Sequence, residues 1–333
     1  MEQRYANILF DDTFKVVVCA PGNEALLIKI VELLVPGKLI NKLEFRDKEN
    51  HGLSVSDKIT TFDLFCTGDS GEQFVVEMQF SPQAHYADRM LCYATYPIRA
   101  QLSEKLSLRK ERVLRGEQAD KMDYGLMPLY VISLLNFSIQ HDGPQALENG
   151  LICRYSIRND NSGELMTEAL RFIYLELGRL NIPKEHPEKC RTLLEKFAFS
   201  LKYMHQLEGR PESFEEEVLR LLYDAAEFAN MSVEQQTTYE SFMRTEIDII
   251  AEKTYARESG FAEGRAEGKA MGIAEGRAEG RAEGIAEGRS EGAAEKSLEI
   301  AKKMALMGFR PEQIAEATDL SLEEVAGLQA TGK

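Results

Sequence analysis

Residues 58–80 constrain the fold more than any other part of the chain. They read as two short strands, 59–66 and 73–80, around the turn Thr67-Gly68-Asp69-Ser70-Gly71. β-Branched and aromatic residues flanking a Gly/Asp/Ser cluster are the signature of a hairpin. Side chains alternate across a strand. Glu77 and Gln79 therefore share one face, and Val76, Met78 and Phe80 the other. A loop centred on Ser70 sets Asp63 directly opposite Glu77, whereas a slip of one residue turns Asp63 to the opposite face. The correct register gathers two carboxylates and an amide on one side of the hairpin.

Two carboxylates on neighbouring strands suit a hard divalent cation such as Mg²⁺, with Mn²⁺ as the alternative. Mg²⁺ takes one or two protein carboxylates and keeps several waters, which leaves room for a substrate phosphate. Such an ion polarises a phosphoryl oxygen and supplies a hydroxide nucleophile. The Gln79 amide orients a water but holds no charge. The competing reading makes Asp63, Glu77 and Gln79 the wet side of an ordinary half-exposed hairpin, where alternating polar residues are the rule.

Asp63 followed by Glu77-Met78-Gln79 resembles the Asp…Glu-x-Lys active site of the PD-(D/E)XK nuclease superfamily. It is most similar to the Rpn group of recombination-promoting nucleases and transposases, which typically carry Glu-x-Gln there. Asp11-x-x-Phe14-Lys15 resembles that group's N-terminal motif, and Lys58 stands five residues before the Asp as the group's lysine does. Arg89 and Tyr93 follow in the next helix, and a tail of Glu-Gly-Arg repeats closes the pattern. The likeness covers residues 5–140. It implies a restriction-endonuclease-like mixed sheet flanked by helices, with Asp63 and Glu77 holding metal and Gln79 at the position of the usual lysine. It also implies DNA as partner and a link to recombination or mobile elements.

The chain has 333 residues and a net charge of −15. An acidic protein has no global pull on nucleic acid, so any DNA contact needs a local basic patch. Cys19, Cys66, Cys92, Cys153 and Cys190 lack metal or redox spacing, which predicts reduced thiols in a cytoplasmic protein. No secretory pattern opens the chain, and no apolar run approaches the roughly 20 residues needed to span a bilayer.

Taken in order, Asp11 either caps the short helix that follows or lends a third acid to the site. Residues 24–34 carry Leu27, Ile30, Val31 and Leu34 on one helical stripe, stopped by Pro36-Gly37. A first core strand is expected around residues 39–45. Lys58 either reaches a phosphate as a point charge or is a surface lysine on an edge strand. A helix over about 84–108 places Tyr86, Arg89, Tyr93 and Tyr96 on one face. There Arg89 has the shape of a two-pronged phosphate clamp, and the tyrosines read equally as core. Arg99, Lys105, Arg109, Lys110, Arg112 and Arg115 form the most basic stretch. It is either a DNA-backbone contact or a solvated helix face, and Arg109, Lys110 and Arg112 are the phosphate candidates. The apolar run 129–137 reads as a buried strand. Strand, helix and strand in this order give an α/β layer fold.

Beyond it, 154–157 reads as a strand and 164–256 as mainly helical. From 260 to 292 the motif Ala-Glu-Gly-Arg repeats with a period of four. Gly costs about 1 kcal/mol per helical position relative to Ala. This tail is either a fluctuating spacer or a stalk through which copies of the chain associate. Residues 297–330 read as three short helices in a helix-turn-helix-like arrangement. Their acidic residues repel phosphate, so this end is expected to bind protein. The domains expected are a nuclease core (1–145), a helical region (146–259), a repeat stalk or linker (260–296) and a C-terminal interaction element (297–333). The function expected is a Mg²⁺-dependent DNA endonuclease. The alternative is an inactive nuclease fold serving as a protein-interaction or DNA-binding module.

Overall fold

The hairpin forms around its glycine. In the computed structural model, which describes residues 3–45, 64–118, 121, 123–141 and 150–330, β2 (Leu64–Gly68) and β3 (Gln73–Gln79) pair antiparallel with Leu64 opposite Val76. This is the register that a loop centred on Ser70 requires. Gly71 has φ +87° and donates to the Gly68 carbonyl at 3.0 Å, while the Gly68 amide donates to the Glu72 carbonyl at 2.8 Å. Only glycine takes such a φ without steric cost, so this residue fixes the loop and with it the face of every side chain on β3.

Four further strands complete the sheet. They are β1 (Leu43–Phe45), β4 (Leu129–Leu135), β5 (Ile152–Ser156) and β6 (Leu170–Glu176), in the order β1-β2-β3-β4-β6-β5. The central pairs β3·β4 and β4·β6 are parallel, and the outer pairs are antiparallel. Parallel neighbours need a crossover. Helix α3 (Tyr86–Leu114) supplies the one between β3 and β4. The sequence reading expected mainly helix after residue 164, yet β6 lies there and pairs along its whole length with β4. Its alternation is blurred because both faces are covered. Leu170, Tyr174 and Phe172 pack towards α3, while Ile173 and Leu175 pack on the opposite side.

The opposite side of the sheet is the larger core. Val76, Met78, Ile132, Leu134 and Leu175 meet α1 (Asp11–Val18), α2 (Glu24–Leu34), α4 (Leu193–Tyr203) and α5 (Glu217–Ala226) there. Helix α2 spans the residues read from its apolar stripe, and Leu26, Leu27, Ile30, Val31 and Leu34 are buried. Helix α4 begins at a capping box: the Thr192 hydroxyl accepts from the Glu195 amide at 3.2 Å, and the Glu195 carboxylate accepts from the Thr192 amide at 3.0 Å. Such caps are worth about 1 kcal/mol.

The chain divides into two units, Met1–Asp248 and Ile249–Lys333. The first holds the sheet and α1–α5. Helix α6 (Val233–Leu306) begins in it, and the repeat segment is helical. In the second unit, Gly308 (φ +86°) ends α6, and α7 (Pro311–Thr318) and α8 (Leu322–Ala330) follow. Ala301, Ile314 and Val325 form a small core among these three helices. Ser321 and Glu324 exchange the bonds of a capping box ahead of α8. Among the described residues no helix is long and apolar enough to cross a membrane.

Candidate active site

Alternation along β3 sends Val76 and Met78 into the larger core and turns Glu77 and Gln79 towards α3. That side is not wet. Glu77 is 3% exposed and Gln79 6%. The helix that covers them is anchored at both ends of β3. Tyr86, Met90 and Ala94 stack along its buried stripe. Gln101 donates to the Gln73 side chain at 2.9 Å and brackets Met127, accepting from its amide at 2.8 Å. Helix α3 therefore runs antiparallel to β3, its first turns lying over the strand end that carries Glu77.

On β4, Ser133 stands level with Glu77 and is fully buried, with its hydroxyl 3.6 Å from the Met90 sulfur. It is the single aliphatic hydroxyl inside the apolar run of β4. That is its only mark in the sequence, where nothing else singles it out. Tyr86 closes the row. Burial pushes its phenol far above the ordinary value, opposed by the neighbouring Ser133 hydroxyl and reinforced by the charge of Glu77. Arg89, one turn along α3, donates through Nε to the Tyr93 hydroxyl at 3.1 Å, and its guanidinium lies 5.0 Å from that ring's centre. Its other arm donates to the Gln83 side chain. Burial works against the Arg89 cation, but Tyr93, Glu77 and Tyr86 together outweigh it and hold its pKa above the usual range. Carboxylate, amide, hydroxyl and guanidinium thus converge at one end of the parallel strands, the end at which open α/β sheets bind ligands.

Asp11 approaches the same end from another direction. Phe10 packs on Phe80 with ring centres 4.2 Å apart, which sets the start of α1 beside the residue following Gln79. Asp11 is the first residue inside α1 and is half-buried, while Phe10 holds the capping position with an extended backbone. The cap reading of Asp11 is thereby corrected: anchoring of the Phe10 ring starts the helix one residue early. Asp63 and Lys58 lie outside the described residues. Arg109, Lys110 and Arg112 are exposed on the last turns of α3. Twenty residues separate Arg89 from Arg109, about 30 Å of helix at 1.5 Å per residue. The structure therefore does not gather the phosphate candidates into one patch.

A second polar cluster escaped the sequence reading because β6 did. Glu176 ends β6 in the same row as Gln79 and Leu135, fully buried. Its Oε2 accepts from the Arg179 Nε at 2.7 Å and the Ile139 amide at 2.8 Å, and its Oε1 pairs with His141. These bonds satisfy the carboxylate and pin residues 139–141 to the sheet. The cysteines are free, and burial pushes the Cys66 thiol up to about 12, which keeps it protonated and unreactive.

The donors present are hard oxygens, a carboxylate and an amide carbonyl, the set Mg²⁺ selects. Among the described residues no group of three or more acidic, histidine or cysteine side chains forms a closed cage. Mg²⁺ does not require one, because it binds through one or two carboxylates and retains water. The site fits that ion in donor type.

Comparison with known proteins agrees with this architecture. No curated protein and no solved structure matches the chain. A family model, PD-(D/E)XK nuclease family transposase, matches residues 9–256, which takes in the whole sheet, α3 and the site described above. The chain belongs to the PD-(D/E)XK nuclease family of transposases.

Proposed function

We propose that this protein is a metal-dependent DNA endonuclease whose reaction centre is Asp63, Glu77 and Gln79. The observation that carries the reading is the burial of Glu77 and Gln79 on the α3 side of β3 in a chain of this family. A carboxylate is not kept in a dry core without a cation or hydrogen bonds to offset the loss of hydration. Asp63 directly precedes Leu64, and Leu64 pairs with Val76. One more step of the same ladder would set Asp63 against Glu77.

Asp63 and Glu77 would hold Mg²⁺ or Mn²⁺, with Asp11 as a third acid. The bound ion supplies a water of lowered pKa and charge stabilisation at the phosphoryl oxygens. Gln79 orients the attacking water through its amide and carries no charge to the reaction. Arg89, held by Tyr93 and Gln83, presents its fork to a phosphate next to the scissile bond. Lys58 adds a point charge, and Arg109, Lys110 and Arg112 contact the backbone further along. The family's transposase designation points to recombination or mobile-element biology in the cytoplasm.

One observation favours a second reading. Gln79 stands where the superfamily's usual lysine would be, so a domain that binds DNA without cutting it is the alternative. The test is nicking of supercoiled plasmid by the full-length protein with Mg²⁺ or Mn²⁺, beside Asp63→Asn and Glu77→Gln. Metal-dependent nicking that both substitutions abolish is expected. A parent that binds DNA but never nicks it supports the non-catalytic module.

A further inference from the structure

The face of the sheet that carries Glu77 also holds a cavity that the proposed chemistry leaves unused. It measures about 600 Å³ and lies beside the first turns of α3. Tyr86, Phe137, Tyr155, Phe172 and Tyr174 wall it. Tyr86 meets Phe137 edge-on at 6.1 Å and Tyr174 at 5.8 Å, and Tyr155 meets Tyr174 at 5.3 Å. The polar side chains that line it, apart from the tyrosines, are Gln83, His85, Asp88 and Ser138. Cavities of roughly 300–1,000 Å³ with aromatic walls and a few polar atoms accept small flat ligands. Among the described residues no lysine or arginine lines the cavity, and its one histidine, His85, faces Asp88 at 3.5 Å, so a phosphate finds no free cation there; a duplex is far too wide to enter.

Two side chains join this cavity to the candidate active site. Tyr86 lines it and also lies next to Ser133 on the row of Glu77. Gln83 lines it and accepts from the Arg89 guanidinium. A strand whose phosphate sits on Arg89 therefore has its neighbouring base at the mouth of an aromatic pocket. Bases stack on aromatic side chains whatever their sequence. Extrusion costs least when the base is already unpaired.

We propose that this cavity takes one unstacked nucleobase, so that the preferred substrate is DNA with an unpaired nucleotide beside the scissile phosphate. The inference rests on the DNA reading above and deepens it to a substrate class.

The test is equilibrium binding by the full-length protein, followed by fluorescence anisotropy in EDTA so that no cleavage is needed. The probes are a duplex with one bulged nucleotide and the same duplex with an abasic bulge. About tenfold tighter binding of the base-containing bulge is expected from stacking. Ala87 is exposed and lines the cavity. Ala87→Leu should fill the space and erase the preference, while Ala87→Ser, which leaves the space open, should keep it. Leu91→Phe provides a second, independent filling from the same helix. Equal affinity for both bulges in the parent overturns the proposal. So does a preference that survives filling in folded variants. A preference for the base without metal-dependent nicking overturns the nuclease reading and leaves the pocket standing. A parent that binds neither probe overturns both.

Discussion

Arg89 and Tyr93 lie one turn apart on α3, joined by a 3.1 Å hydrogen bond from Nε to the phenol and by a guanidinium 5.0 Å from the ring centre. The bond and the ring contact fix the plane of the fork. Arg89→Lys keeps the charge but loses the plane and two-pronged geometry. Cleavage should fall about 10- to 100-fold while DNA affinity changes little. Single-turnover rates beside anisotropy titrations will separate the two. A proportional loss of both would make Arg89 an ordinary binding charge.

Arg109, Lys110 and Arg112 are exposed about 30 Å of helix away from Arg89. Reversing all three charges should weaken binding alike for every DNA sequence. If each neutralises one phosphate, the slope of log affinity against log salt should shrink by about 2–3. An unchanged slope would mean that the DNA lies elsewhere.

Among the described residues, nothing stands within 4 Å of where a Cβ would sit on the repeat glycines from Gly260 to Gly292. No packing among the described residues requires them. Removing residues 260–333 should leave single-turnover cleavage intact and the circular dichroism of the sheet unit unchanged. Light scattering on both forms will show whether mass depends on the repeat. Loss of cleavage from a folded truncation would assign the tail a part in the active assembly, such as holding two catalytic units on one duplex.

Gly178 follows β6, and a Cβ there would stand 2.6 Å from the Phe137 carbonyl carbon and 2.8 Å from the Ser138 amide. Both are backbone atoms and cannot swing aside. Gly178→Ala should cost about 1–3 kcal/mol through overpacking. In a unit of this size that lowers Tm by several degrees, about 2–4 °C per kcal/mol. A thermal melt unchanged within a degree would show that the segment shifts freely.

Burial, reinforced by Lys184, depresses the pKa of His205 below the ordinary 6.5. As pH falls through 6.5, the unfolded chain takes up a proton there that the folded chain does not. The folded state therefore loses stability on acidification. His205→Gln should remove this part of the loss. Urea midpoints at pH 7 and pH 5 should differ less for the variant than for the parent. An equal difference would show that His205 titrates normally in the fold.

The hairpin's register and faces were legible in the sequence because alternation and a turn glycine are local. A period of two left two registers open, and the turn at Gly71, with φ +87°, takes the Ser70-centred one. Helix α2 was legible for the same reason, its stripe and its Pro-Gly stop lying within a dozen residues. The wetness of the Glu77 face was not, because exposure depends on what covers a strand, and α3 comes from elsewhere in the chain. Strand β6 escaped because a strand buried on both faces loses the polar alternation that marks it, and with it went Glu176 and its partners. Helix α1 starts at Asp11 because Phe10 finds Phe80 across about seventy residues. By itself the sequence singled out Glu77, Gln79 and Arg89 as candidates. Only the tertiary structure decided that Glu77, Gln79 and Ser133 are buried on the side covered by α3, with half-buried Arg89 on the first turns of that helix, because burial comes from contacts between segments far apart in the chain.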